Sequence, residues 1–182
     1  MRVIAGSAKG VQLQPVPGRG TRPISDRVKA ALFDTLGTSV IGARVLDLFA
    51  GTGSVGIEAL SRGAERVVFV EQHPVAAATI QGNLQRARLH ARGHIAKVDV
   101  FKFLGREGEP FDLIYVAPPQ YQGLWSKTLL ALDAAPIWLQ PEGVIVIQVF
   151  PKEWKPLSLD TLGLADRRQY GSTLLCFYEP EG

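Results

Sequence analysis

Three glycines, Gly51, Gly53 and Gly56, directly follow an apolar run at 44–49 and lead into a helical pattern over 54–62. A G-x-G-x-x-G pattern is weak alone and becomes informative between a strand and a helix. Glycines there let the backbone turn sharply and approach a ligand closely, and the helix start offers free N–H groups. The rest of the chain repeats this alternation. Strands are expected over 66–71, 94–98, 111–116 and 143–149, with helices over 74–88, near 100–104 and over 125–134. Two further strand-like runs, 164–170 and 173–178, are separated by Gly171-Ser172, a hairpin signal. Helical crossovers between strands imply a parallel sheet, and the last hairpin adds an antiparallel member. The predicted fold is therefore α/β: a Rossmann-like, doubly wound sheet with an antiparallel C-terminal hairpin.

The start of the chain reads differently. Residues 1–24 form a predicted basic extension, with strand-like runs 2–5 and 11–14 around a Gly6 to Gly10 turn and a Pro/Gly loop after Pro15. The main domain is expected over 25–182. It opens with a helix that has Ser25 as N-cap, Asp26 in the first turn, Val28, Leu32 and Leu36 on one face, and Gly37 as the stop. The whole chain holds 20 Lys+Arg against 17 Asp+Glu. The first thirty residues alone hold Arg2, Lys9, Arg19, Arg22, Arg27 and Lys29 against Asp26. Such local surplus points to a polyanionic partner. Arg2, Lys9, Arg22 and Arg27 are the candidate phosphate contacts, which position a nucleic acid without reading its sequence.

Other classes are excluded. With 46% hydrophobic residues the chain is not mainly disordered. Cys176 is the only cysteine, which removes disulfide scaffolds and paired-cysteine zinc sites. His73, His90 and His94 lack metal-ligand spacing, so no metal is expected. The apolar runs are too short to span a membrane, and Ser7 and Lys9 interrupt any secretory segment, so a cytoplasmic setting is expected.

Carboxylates discriminate between ligands for the glycine turn. Asp47 sits at the mouth of the first strand, Glu71 at the end of the second and Asp99 after the third. A pyrophosphate of a nicotinamide dinucleotide would be repelled by Asp47. S-adenosylmethionine carries an ammonium and a sulfonium and no phosphate, which suits that acidic set. Each carboxylate is also a possible helix cap or solvated charge, Asp99 in particular as an N-cap.

The segment from Asp47 to Ala64, together with Arg2-Val3-Ile4-Ala5-Gly6, Lys9-Gly10 and the block Thr21-Arg22-Pro23-Ile24-Ser25-Asp26-Arg27-Val28-Lys29-Ala30-Ala31-Leu32-Phe33, resembles the RsmD family of small-subunit ribosomal RNA guanine-N2 methyltransferases. The resemblance implies a class I methyltransferase fold, S-adenosylmethionine as methyl donor, and ribosomal RNA in an assembling small subunit as substrate. By that analogy Asp47 and the turn at Gly51 and Gly53 hold the methionine part, Glu71 the ribose and Asp99 the adenine. Phe49, Thr52 and Val100 complete the expected cofactor set.

After the fourth strand such enzymes carry Asp/Asn-Pro-Pro-Tyr/Phe. A guanine amine is a poor nucleophile because its lone pair is delocalised into the ring. Acceptors on its two N–H bonds aim that lone pair, and the aromatic stacks on a base taken out of its helix. This chain reads Ala117-Pro118-Pro119-Gln120-Tyr121. Ala117 has no side-chain acceptor and Gln120 does not stack. Two readings follow. In one, the Ala117 and Pro118 carbonyls and the Gln120 amide oxygen accept while Tyr121 supplies the stacking face. In the other, the chain is a catalytically weak or inactive RNA-binding assembly factor. Trp125, near this loop, is expected to pack against the sheet, with contact to the substrate as the alternative.

Overall fold

The computed structural model describes residues 1–18 and 23–182. Its seven strands are β1 (Arg44–Leu48), β2 (Arg66–Val70), β3 (Gly93–Ala96), β4 (Phe111–Val116), β5 (Leu139–Val149), β6 (Leu162–Tyr170) and β7 (Thr173–Pro180). They form one sheet in the order β3-β2-β1-β4-β5-β7-β6. β1 to β5 pair in parallel, and β7 runs antiparallel to both β5 and β6. The reversal of strand order on either side of β1 opens a crevice at the carboxyl ends of β1 and β4, where ligands of open α/β sheets bind.

Helices α1 (Asp26–Leu36), α2 (Ser54–Ser61), α3 (Pro74–Arg86), α4 (Val100–Leu104) and α5 (Leu124–Asp133) cover the two faces. Because side chains alternate along a strand, each central strand feeds two cores. Val45, Phe69, Leu113 and Tyr115 pack with Phe33, Ile57 and Ile80 from α1, α2 and α3. Leu46, Val68, Ile114 and Ile147 pack with Phe103 of α4 and with Trp125 and Leu129 of α5. The expected element types hold. The boundaries move by a few residues, most at β5, which begins at Leu139 rather than 143.

Local chemistry explains the ends of the elements. The Ser25 hydroxyl accepts the Val28 N–H at 3.2 Å and starts α1, and Gly37, at φ 57°, ends it. Gly56 has a packing reason. A Cβ there would lie 2.3 Å from the Phe69 ring, so only glycine lets α2 lie this close to β2.

The N-terminal segment departs from expectation. Instead of two strands it makes one isolated bridge, Arg2 to Gln12, with paired backbone bonds such as Val3 N–H to the Val11 carbonyl at 3.0 Å. Side chains of α2 hold it in place. The Glu58 carboxylate accepts the backbone N–H groups of Ile4 and Ala5 at 2.9 and 3.1 Å. Ser61 Oγ accepts the Ala8 N–H at 2.9 Å and donates to the Ala5 carbonyl at 2.6 Å. Gly6 passes so close that a Cβ would fall 1.8 Å from the Ser61 carbonyl oxygen. Lys29, one of the six N-terminal cations, is not on the surface. It is fully buried, pairs with Glu58 at 3.2 Å, and donates to the Arg2 carbonyl and to Ser54 Oγ. Its charge is therefore neutralised inside the core and contributes little to any outward field.

Candidate active site

A cleft of about 890 Å³ opens at the carboxyl ends of β1, β2, β4 and β5. The glycine turn, the β2 end, the residues after β3, the diproline loop and the turn after β5 all line it. Of the residues expected from the sequence, Asp47, Phe49, Gly51, Thr52, Glu71, Asp99, Val100 and the stretch from Ala117 to Tyr121 lie in this one wall. Gly53 is placed behind it as the left-handed N-cap of α2, at φ 78°.

Each carboxylate is built into a turn. Asp47 is almost fully buried, and its Oδ2 accepts the Gly56 N–H of α2 at 3.2 Å. Burial pushes its pKa well above the ordinary carboxylate range, and the nearby Glu71 charge pushes the same way, against the Gly56 hydrogen bond. Glu71 accepts the Gly51 N–H at 3.0 Å through Oε1 and the His73 N–H at 3.0 Å through Oε2. It thus fixes the glycine turn from the neighbouring strand and keeps further lone pairs for a ligand. Asp99 is an N-cap. Its Oδ2 accepts the Phe101 and Lys102 N–H groups at 2.9 and 3.1 Å, and its Oδ1 has no partner among the described residues. Phe49 holds a left-handed conformation, φ 62°, which is costly for an aromatic residue and typical of sites that place a ring deliberately.

Four residues not singled out from the sequence complete the site. Asn83, fully buried in α3, donates to the Thr52 carbonyl at 2.9 Å and the Gln14 carbonyl at 3.1 Å, and accepts the Gln14 N–H at 2.8 Å. Its signal was a polar residue on the helix face shared with Ala76, Ile80 and Leu84. Tyr115 lies beside Asp47 in register and donates its hydroxyl to Gln148 Oε1. Burial raises the phenol pKa, and the Asp47 charge adds to it. Glu153, in the turn after β5, is the fourth carboxylate of the wall.

Pro118 is half-buried, and Pro119, Gln120 and Tyr121 project outward. Tyr121 is 67% exposed, with its ring stacked on Phe150 at 5.4 Å. Trp125 is buried in the core, as the sequence suggested. Of the candidate phosphate contacts, Lys9 and Arg27 are exposed, and Arg2 reaches Asp26 at 3.4 Å. Arg22 lies outside the described residues. Among the described residues no Lys or Arg lines the cleft. An anionic pyrophosphate would find carboxylates there and, among the described residues, no Lys or Arg, whereas the same acceptor set fits the ammonium, sulfonium and ribose hydroxyls of S-adenosylmethionine.

The chain is similar over nearly its whole length to known proteins. The family model described as "Conserved hypothetical protein 95" matches residues 1–179. Ribosomal RNA small subunit methyltransferase D of Haemophilus influenzae is 32% identical, covering 93% of each chain. The chain belongs to this methyltransferase D (RsmD) family. Another relative, the Bacillus subtilis protein YlbH, is 36% identical over the full length of both chains. Among solved structures, the Escherichia coli protein yhhF superposes with a TM-score of 0.88 at 28% identity, covering all of this chain and 98% of that one.

Proposed function

We propose that this RsmD-family chain transfers a methyl group from S-adenosylmethionine to the exocyclic N2 amine of a guanine in small-subunit ribosomal RNA, within an assembling particle in the cytoplasm. The observation that carries the reading is a cleft with three carboxylates and, among the described residues, no lysine or arginine on its β1 to β3 side, and a rigid diproline with an exposed stacked tyrosine on its β4 to β5 side.

The cofactor supplies an electrophilic methyl held on a cationic sulfur. Asp47 and the turn at Gly51 and Thr52 take its cationic end. Glu71 accepts from ribose hydroxyls, Asp99 Oδ1 accepts from the adenine amine, and Val100 and Phe49 supply apolar contact. The Ala117 and Pro118 carbonyls accept the two N–H bonds of the guanine amine and aim its lone pair at the methyl. The bound cofactor would give up its methyl and leave as a neutral thioether, and the amine's surplus proton would pass to water. Tyr121 supplies the stacking face for the base. Most of the acceleration then comes from approximation of the two reactants. Arg2, Lys9, Arg22 and Arg27 hold RNA phosphates.

Label transfer from methyl-labelled S-adenosylmethionine to small subunits from a strain lacking this activity tests the reading. One labelled guanine is the expected result, and background counts at high protein concentration would refute it. The missing Ala117 acceptor favours a second reading, a binding protein with little turnover. That reading expects RNA affinity that does not depend on the cofactor.

A further inference from the structure

Four carboxylates line the cleft, and three of them serve the turns after β1, β2 and β3. Glu153 is the exception. It comes from the turn after β5, and its Oε1 accepts the Tyr121 backbone N–H at 2.6 Å. Its second oxygen has no partner among the described residues. The same turn contributes Phe150, whose ring lies under Tyr121 at 5.4 Å and 20° from parallel. Tyr121 itself is left-handed, φ 57°, a conformation that a non-glycine residue keeps only where its surroundings over-determine it. Here two contacts from one turn do so, a charge-assisted hydrogen bond below the backbone and an aromatic face below the ring.

We propose that Glu153 and Phe150 are positioning residues that seat Tyr121 as the nucleobase-stacking face, one place further along the loop than the aromatic of the Asp/Asn-Pro-Pro-Tyr/Phe pattern. The inference rests on the proposed methyl transfer for its kinetic readout and on geometry alone for the rest. Gln120 occupies the usual aromatic position and is exposed. A one-residue shift moves the aromatic side chain off the line that diproline geometry gives it. Residue 121 is left-handed and lines the cleft, and the 150–153 turn contacts both its backbone and its ring. Tyr121 keeps 67% of its surface exposed although it is clamped at backbone and ring, which leaves its outer face open to a planar partner. Base stacking on such a face is tolerant of sequence, because every base has a π-face.

The test compares wild type with Glu153→Ala, Glu153→Gln, Tyr121→Ala and the double variant Tyr121→Ala/Glu153→Ala. Each is assayed for label transfer to small subunits and for quenching of a single-stranded oligoribonucleotide that carries 2-aminopurine. Glu153→Ala is expected to lower kcat/KM about tenfold and to lose the quenching, by the strength of a charge-assisted hydrogen bond. Calorimetric affinity for S-adenosylmethionine and the melting temperature should stay at wild-type values, which a general folding defect would not allow. Glu153→Gln keeps an acceptor oxygen and should restore both readouts. The double variant should be no worse than Tyr121→Ala, because the two residues act through one contact. Wild-type behaviour of Glu153→Ala, or a loss that adds in full to that of Tyr121→Ala, overturns the proposal. If wild type transfers no label while quenching still depends on Glu153, the clamp stands and the assigned reaction fails.

Discussion

Asp47 shows how one side chain links stability to ligand chemistry. Its pKa is raised in the folded state, so folding favours its protonated form. The associated stability is present at low pH and is lost as pH rises from the ordinary carboxylate value through the raised folded value. A cationic ligand favours the ionised form. Cofactor affinity should therefore strengthen as pH rises through the folded pKa, with proton release visible as a dependence of calorimetric heat on the buffer. Asp47→Asn should hold or raise the melting temperature at neutral pH and weaken S-adenosylmethionine binding by about 10- to 100-fold. Ala117 gives the converse case. Restoring the acceptor in Ala117→Asp should raise turnover, by up to about 10²-fold if the carbonyls alone are poor substitutes. No gain would favour the binding-protein reading. At this scale the sequence was informative where a residue's role follows from its neighbours in the chain. Gly51, Gly53 and Asp47 are such cases. Tyr121 was visible only as an aromatic in the wrong place, because Phe150 and Glu153 reach it from about thirty residues away.

Among the elements, α2 is the informative one. Ser54, Glu58 and Ser61 recur at spacings of four and three, which reads as the solvent stripe of an amphipathic helix. In the structure every residue of α2 is buried, because residues 1–8 cover that stripe. No local pattern announces this, since the polar stripe is met by backbone N–H groups of the segment, with Val3 and Ala8 buried beside them. The strands were legible for the opposite reason. Their two-sided burial forces continuous Val, Leu and Ile runs, which no surface element shows. The buried pair sets an asymmetric expectation. Glu58→Ala leaves Lys29 charged in the core and frees the Ile4 and Ala5 amides, a cost of about 3–5 kcal/mol. Lys29→Met leaves Glu58 with Arg62 at 2.8 Å and both amides, and should cost less. Chemical denaturation of both variants and of their combination checks this, with the combination less damaged than Glu58→Ala alone.

For the whole molecule, charge was the least legible property. A count of six cations in thirty residues suggested a strongly basic arm, whereas Lys29 is neutralised inside and Arg2 faces Asp26. The outward field of the described arm rests mainly on Lys9 and Arg27. Removing either should lower the magnitude of the salt slope of RNA binding by about 0.7, the value for one phosphate contact on a single strand. A Lys29 variant that folds should leave the slope unchanged. Filter binding across a salt series reads both outcomes.

Asn83 joins two stretches of chain far apart in sequence, gripping the backbone at Gln14 and at Thr52 with one amide group. Substituting leucine should release both at once, seen as matched acceleration of deuterium uptake in peptides spanning 11–16 and 50–54, while peptides from β4 and β5 keep their protection. The arm and the glycine turn at the cleft thus share a common rivet, and loosening it should free both ends together.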